Sequence, residues 1–397
     1  MSRTWTIVER TRTELLGFDA SWIPEGLAER VRIVMSGSRL AIEVDGWVGS
    51  ARLLNGDQLR IVSKYGEFNY LRMLARVMDI PEPDSDEVDY GMSHLETPTV
   101  VFGKAFARSL ATVLERGVAT SFRDVESRST YVPRRLDVTR TALSMRLDRH
   151  PLTYGSNRQR TERNDEHAVL GAAAAQLAEN STRLSKREFE IASSVERRWN
   201  KTHTNLIGAI QAVESKLRRN FYTGSRAYYI AALRQALLIL GATGATATDG
   251  AIVSGDAMLT NSDLLFEEYV RKLLAEALTP YGYTVGKAVA GEQYLFLSGK
   301  IALTPDIVVR RGTRVAAVAD VKHKSPDPGD YYQTLAYARE WGMPSVWMFQ
   351  ATSVHNNIES LKAASDGTEV VRVELPVLHY DILEESVRNM RSRLASH

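Results

Sequence analysis

The stretch LTPDIVVRRGTRVAAVADVKHK, residues 303–324, holds two short apolar runs around the break R-R-G-T-R. Ile307, Val308 and Val309 lie before the break, and Val315 to Val321 follow it. Short runs rich in β-branched residues and bounded by Gly read as strands, and a turn centred near Thr313 joins them. Side chains alternate faces along a strand. Ala316, Val318, Asp320 and Lys322 therefore share one face, and Val315, Ala317, Ala319 and Val321 the other. Both faces are apolar as far as Ala319, which predicts a central strand with its polar pair where it emerges. A turn at Thr313 sets residue 306 opposite residue 320, and directly opposed β-carbons lie about 4.5–5.5 Å apart. Asp306 and Asp320 then converge in an apolar setting, where an unpaired charge is expensive.

Two carboxylates that close stay ionised together only with a cation between them. A hard divalent ion, Mg²⁺ or Mn²⁺, takes oxygen ligands and keeps several waters, which suits two Asp side chains. Asp306 and Asp320 are thus the candidate metal ligands. Lys322, beside Asp320, is placed to orient or deprotonate a metal-bound water and to stabilise charge developing on a phosphoryl oxygen. A third acid is expected from the helix carrying LLFEEYV; Glu267 is the candidate metal ligand, with Glu268 as the alternative. Gln333 and Tyr337 stand at i and i+4 on one helix face, where they can bond a phosphate or a site carboxylate. D-x-K alone usually marks a solvated strand end. P-D, a D-x-K fourteen residues on, Q-x-x-x-Y on the next helix and a Glu-bearing helix upstream form a much more specific pattern. His323 and Lys324 are expected in solvent, and no two histidines stand at ligand spacing.

Around this core, SDLLFEEYVRKLLAEAL has helical period after a capping Ser262 or Asp263. YTVGKAVA and EQYLFLS read as strands, GDYYQTLAYAREWG as a helix, SVWMFQA and VVRVELPVL as strands, and DILEESVRNMRSRL as a closing helix. The C-terminal region is therefore α/β, with a mixed sheet flanked by helices. Earlier in the chain, residues 31–63 alternate and break at S-G, D-G and N-G, the signals of hairpins. Helices are expected at 70–77 and 99–117, around the acidic loop PEPDSDEVDYG, which makes the N-terminal module α+β. From about 164 to 241 long helical patterns without Pro predict a bundle or stalk, and GATGATATDGAIVSG reads as a linker. Three consecutive domains result: 1–150, an α+β domain; 151–250, helical; and 251–397, the domain of the quoted hairpin.

Composition bounds the possibilities. At 397 residues, two or three domains are the prior. No cysteine occurs, which removes disulfides, Cys-ligated zinc and thiol nucleophiles together. The charged N-terminus lacks a secretory pattern and no apolar run suits a membrane, so a cytoplasmic location without membrane contact is expected. Net charge is only +2, yet residues 122–163 hold ten Arg against five acids, and 183–226 hold ten Lys/Arg against four. Such regions can attract phosphate without reading sequence.

The pattern PD…DxK followed by QxxxY resembles the PD-(D/E)xK nuclease superfamily, in its RecB-type branch. More narrowly, LLFEEYV, TPDIVV, ADVKHK and DYYQTLAYA look like the nuclease domain of the McrC family, the cleavage subunits of McrBC modified-cytosine restriction systems. VGSARLLNGDQLRIVSKYGEFNYLRML is similar to that family's N-terminal pattern, and YVPRRLDV with NDEHAVLGAAAAQL to its middle region. Two positions depart from it: Ser63-Lys64 stands where relatives tend to show Pro-Lys, and Arg134-Arg135 where they tend to show a Gly between basic residues. The resemblance implies a Mg²⁺-dependent endonuclease subunit that cleaves modified-cytosine DNA when driven by a McrB-like hexameric AAA+ GTPase, which it also stimulates, and it makes 1–150 the partner-binding domain. In keeping with this, the chain has no G-x-x-x-x-G-K-[ST] phosphate loop. The competing expectations are another RecB-like nuclease working with a helicase, and a non-catalytic activator of a motor.

Overall fold

A computed structural model describes residues 3–36, 39–64, 66–78, 98–148, 152–179, 184–199, 205–240, 257–289, 292–296, 298–299, 301–353, 357–363 and 365–394. The acidic loop at 81–91 and the linker at 241–255 lie outside them. The chain forms two units, residues 1–98 with 243–397, and residues 99–242. This division differs from three consecutive domains, because the N-terminal segment folds with the C-terminal one.

The N-terminal segment contains β1 (Thr4–Val8), β2 (Thr13–Glu14), α1 (Glu25–Ala28), β3 (Val31–Ser36), β4 (Arg39–Val44), β5 (Trp47–Arg52), β6 (Gln58–Val62) and α2 (Glu67–Val77). The S-G and N-G breaks do join antiparallel pairs, β3 with β4 and β5 with β6. The D-G break does not. β4 belongs to a three-stranded sheet in the order β2-β4-β3, whereas β5 lies in a four-stranded sheet. Gly46, at φ 67°, turns the chain from one to the other. Trp5, Ile7, Ile42, Leu59 and Ile61 fill the space between them.

The second unit begins with α3 (Pro98–Arg116), followed by β7 (Ser121–Ser129), β8 (Arg135–Leu136), α4 (Val138–Leu147) and β9 (Thr153–Thr161). The Arg-rich stretch 122–163 is thus largely a long hairpin, β7 against β9, with β8 on the far edge. Next come α5 (Asp165–Glu179), α6 (Lys186–Trp199), α7 (Leu206–Arg218) and α8 (Tyr229–Ile239), the expected helical region. Their apolar faces meet in one core around Val169, Ala173, Trp199 and Leu233. Gly103 lets α3 approach α5 closely, since a β-carbon there would stand 2.5 Å from Leu177 Cδ1.

The remaining elements are β10 (Ala257–Asn261), α9 (Ser262–Leu278), β11 (Thr284–Gly286), β12 (Ile307–Arg311), β13 (Arg314–Lys322), α10 (Pro328–Glu340), β14 (Ser345–Thr352), β15 (Ile358–Lys362), β16 (Glu369–Pro376) and α11 (Tyr380–Leu394). β10 explains the two-unit division. It pairs antiparallel with β5, completing the sheet β1-β6-β5-β10, and the chain then enters α9 directly. Asn261 caps that helix by accepting from the N–H groups of Asp263 and Leu264, both at 3.0 Å. The last sheet runs β11-β12-β13-β14-β16-β15, antiparallel across β12–β13 and parallel across β13–β14 and β14–β16. It is mixed, with β13 inside it as its apolar faces required. The described residues of EQYLFLS form no strand: Tyr294 and Ala302 make a single bridge, flanked by hydrogen bonds from the Leu295 N–H to the Ile301 carbonyl and from the Leu303 N–H to the Gln293 carbonyl. β15, an unforeseen strand, adds to the far edge through β16. No helix among the described residues is long and apolar enough to cross a membrane.

Candidate functional site

The β12–β13 hairpin decides where the acids fall. Ile307 pairs with Ala319 and Val308 with Val318, so continuing the register brings residue 306 opposite residue 320. The turn itself is at Gly312 and Thr313, with Gly312 at φ 61°. A register shift between Val309 and Arg310 absorbs the extra residue, which is why a turn centred near Thr313 anticipates the same pairing. Asp306 stands just before β12, and its Oδ2 accepts the Val321 N–H at 3.0 Å.

Asp320 is buried at 2% exposure. Its carboxyl lies within hydrogen-bonding reach of Asp306, and burial together with the Asp320 charge pushes the Asp306 pKa up to about 7. Asp320 Oδ2 is 2.7 Å from Lys322 Nζ, close enough for an ion pair, yet without the alignment of a hydrogen bond. The oxygen is electrostatically compensated but its lone pairs are unclaimed.

Lys322 also reaches Asp330 Oδ1 at 2.9 Å and donates to Gln333 Oε1 at 3.4 Å. Burial works against its charge, but the Asp320 and Asp330 carboxylates outweigh burial and hold its pKa above the usual lysine value. Lys322 therefore stays an ammonium at neutral pH, suited to orienting and to charge stabilisation rather than to proton abstraction. Gln333 Nε2 donates to Tyr337 Oη at 2.6 Å. Burial, then the Asp320 charge, pushes the buried Tyr337 phenol up to about 12. Asp306, Asp320, Lys322, Gln333 and Tyr337 thus form one continuous chain of contacts.

Glu267 enters through an intermediary. Its Oε1 accepts from Lys287 Nζ at 2.6 Å and Arg271 Nη1 at 3.2 Å, and the same Lys287 Nζ lies 3.8 Å from Asp306 Oδ1. Arg271 Nη1 also donates to the Asp306 carbonyl at 3.0 Å. Glu268 pairs with Arg271 and its side chain is 41% exposed. Among the described residues, no group of three His, Cys, Asp or Glu side chains converges closely enough to hold a metal ion. The fit to a hard divalent ion is therefore that of a two-carboxylate, all-oxygen donor set with an unclaimed buried Asp320 Oδ2; Glu267 stands one lysine away.

Other participants escaped the sequence pattern. Lys287 carries no local signature, because its role depends on β11 docking at the sheet edge. Asp330 sits in a capping box: Asp327 accepts from the Asp330 N–H at 3.1 Å, and Asp330 accepts from the Asp327 N–H at 2.9 Å. His323 corrects an expectation. Rather than standing in solvent it is 4% exposed, and its Nδ1 donates to Asp263 Oδ1 at 3.0 Å. Lys324, with a 52% exposed side chain, is at the surface.

Over residues 42–348 the chain matches the family described as McrBC 5-methylcytosine restriction system component. Its fold is similar to a chain of the half-complex from the tetradecameric assembly of Thermococcus gammatolerans McrB AAA+ hexamers with bound McrC, at TM-score 0.64 and 14% identity. That superposition covers 98% of this chain and 100% of the other. A chain of the Thermococcus gammatolerans McrBC complex aligns at TM-score 0.46 and 15% identity over 69% of this chain and 88% of its own. No curated protein matches. The family match spans well over half of the 397 residues, and the chain belongs to the family of McrBC 5-methylcytosine restriction system components.

Proposed function

We propose that this chain is the DNA-cleaving subunit of a McrBC-type restriction system, a Mg²⁺-dependent endonuclease of PD-(D/E)xK type. In this reading it cuts modified-cytosine DNA when driven by a hexameric AAA+ GTPase of the McrB kind and stimulates that GTPase. The observation that carries it is the Asp306–Asp320 pair, with Asp320 buried and Lys322 2.7 Å from it, set at the end of an otherwise apolar central strand. The family and the likeness to a chain from an assembly of McrB hexamers with bound McrC support the partner.

Asp306 and Asp320 would hold the divalent ion, which when bound supplies Lewis acidity toward a phosphoryl oxygen and acidifies a coordinated water. The chain's own groups do the rest. The Val321 N–H fixes one Asp306 oxygen, so that carboxylate presents its other oxygen to the site. Lys322, kept cationic by two carboxylates, holds the attacking water's orientation and offsets charge as it grows on the phosphate. Gln333, braced by Tyr337, limits where the Lys322 ammonium can swing. Glu267 pairs with Lys287 and, together with Glu268, with Arg271 beside Asp306, setting the local charge rather than adding a direct ligand.

Replacing Asp320 with Ala tests this. With Mg²⁺ or Mn²⁺, the GTPase partner and modified DNA present, Asp320→Ala is expected to lose cleavage by at least about 10³-fold. Circular dichroism and partner binding are expected at wild-type levels; cleavage retained within a few-fold sinks the assignment.

A further inference from the structure

The backbone on either side of Lys322 is pinned. The Val321 N–H is held by Asp306, and the His323 carbonyl accepts from Lys64 Nζ at 2.8 Å. Lys64 comes from the N-terminal segment, 259 residues away in sequence. It does not act alone. Its own N–H donates to Glu9 Oε1 at 3.2 Å, as does Ser63 Oγ at 3.1 Å, while Ser262 Oγ donates to Glu9 Oε2 at 2.5 Å. Glu9 is fully buried.

A parallel grip holds the His323 ring. Asp263, which accepts from His323 Nδ1, is held by Arg10 Nη2 at 2.6 Å to both oxygens, and Arg10 Nε is anchored on Asp45 at 2.8 Å. Close approach of backbone is needed here: a β-carbon on Gly46 would stand 2.8 Å from Asp263 Oδ2. The ring also packs on Phe266, centroids 5.3 Å apart. Of the charged groups here Glu9 is the buried one, Arg10 and Asp263 are partly exposed and Asp45 is at the surface, and their directional bonds specify one arrangement where apolar contacts tolerate several. The chemistry above assigns no role to Glu9, Arg10, Lys64 or Asp263.

We propose that Lys64 is a positioning residue for Lys322: by holding the His323 carbonyl, with Glu9 and the Arg10–Asp263 pair as its support, it fixes the end of β13 from the N-terminal segment. The candidate nuclease centre is then completed by residues outside the sheet that carries it. This inference rests on the nuclease reading for its kinetic consequence, but not for its structural one.

The full-length chain is compared with its Lys64→Met and Lys64→Arg variants, by hydrogen exchange and by cleavage with the GTPase partner, Mg²⁺ and modified DNA. Lys64→Met is expected to speed exchange of the 321–324 amides about tenfold or more, with α3 to α8 unchanged. It is also expected to lower kcat about tenfold at unchanged KM, and Lys64→Arg to restore most of both. Unchanged exchange at 321–324, or exchange raised uniformly through the chain, overturns the proposal, as does a wild-type kcat in Lys64→Met. If Lys64→Met does not fold, Lys64→Gln is read by the same criteria. Should the wild-type chain not cleave at all, the nuclease reading fails, and the exchange data alone decide whether Lys64 holds the strand end.

Discussion

At the scale of single residues, two buried groups show how surroundings set charge. Lys322 is an ammonium flanked by Asp320 and Asp330, and its neighbours win against burial. His167, in α5, is the opposite case. It is fully buried and stacked on Trp199 with centroids 4.1 Å apart. Its Nδ1 donates to the Glu162 carbonyl at 2.6 Å, which leaves Nε2 to accept from Tyr229 Oη at 3.0 Å. Tyr229 in turn accepts the Ala119 N–H at 2.8 Å, so each group has one consistent role. Burial lowers the His167 pKa below the usual imidazole value. The unfolded chain then takes up a proton near pH 6.5 that the folded chain refuses, so this group's contribution to stability is complete above about pH 6.5 and is lost as pH falls toward its native value. Hydrogen exchange of the α5 amides is expected to show local stability declining from pH 7.5 to 5.5, and the decline to flatten in His167→Gln. An equal slope in both proteins would remove His167 as its source.

At the scale of elements, α10 carries two duties on one side chain. Asp330 closes the capping box with Asp327 and also pairs with Lys322. The two functions separate by mutation. Asp327→Ala removes the cap's acceptor and is expected to lower thermal stability slightly while leaving cleavage near wild type. Asp330→Asn keeps an oxygen for the cap but drops the charge beside Lys322, and cleavage is expected to fall about tenfold with little change in unfolding temperature. The reverse ranking in cleavage assays would show that the helix start, not the ion pair, governs the centre. The strands were legible because they are local: short β-branched apolar runs on either side of Gly312 located β12 and β13, and both apolar faces placed β13 inside the sheet. EQYLFLS was misread for the same reason. Its apolar run is genuine, but among the described residues no strand pairs with it beyond one bridge, and the Leu295 and Leu303 N–H groups bond to the Ile301 and Gln293 carbonyls instead. At D-G between β4 and β5 the turn was correctly located, and only the pairing partner differed, which a turn signal does not encode.

At the scale of the molecule, the N-terminal segment completes the C-terminal one. β10 needs β5, and Ser262, Asp263 and His323 need Glu9, Arg10 and Lys64. A fragment spanning residues 251–397 is therefore expected not to fold by itself, with β10 unpaired and Leu259 stripped of Ile61, Ala51 and the other members of its core. Near-ultraviolet circular dichroism and a cooperative melt of that fragment would show otherwise if the sheet of β11 to β16 were sufficient. The amino-acid sequence by itself determined the elements whose causes are near neighbours: helix periods, caps, the hairpin that brings Asp306 to Asp320, and the lysine two residues on. Only the tertiary structure decided which segments share a unit, that Glu267 meets Lys287 rather than the acid pair directly, and that His323 is buried. The reason is distance along the chain. Contacts spanning 253 and 259 residues leave no periodic trace, because nothing about Arg10 or Lys64 in its local sequence specifies the strand end it will hold.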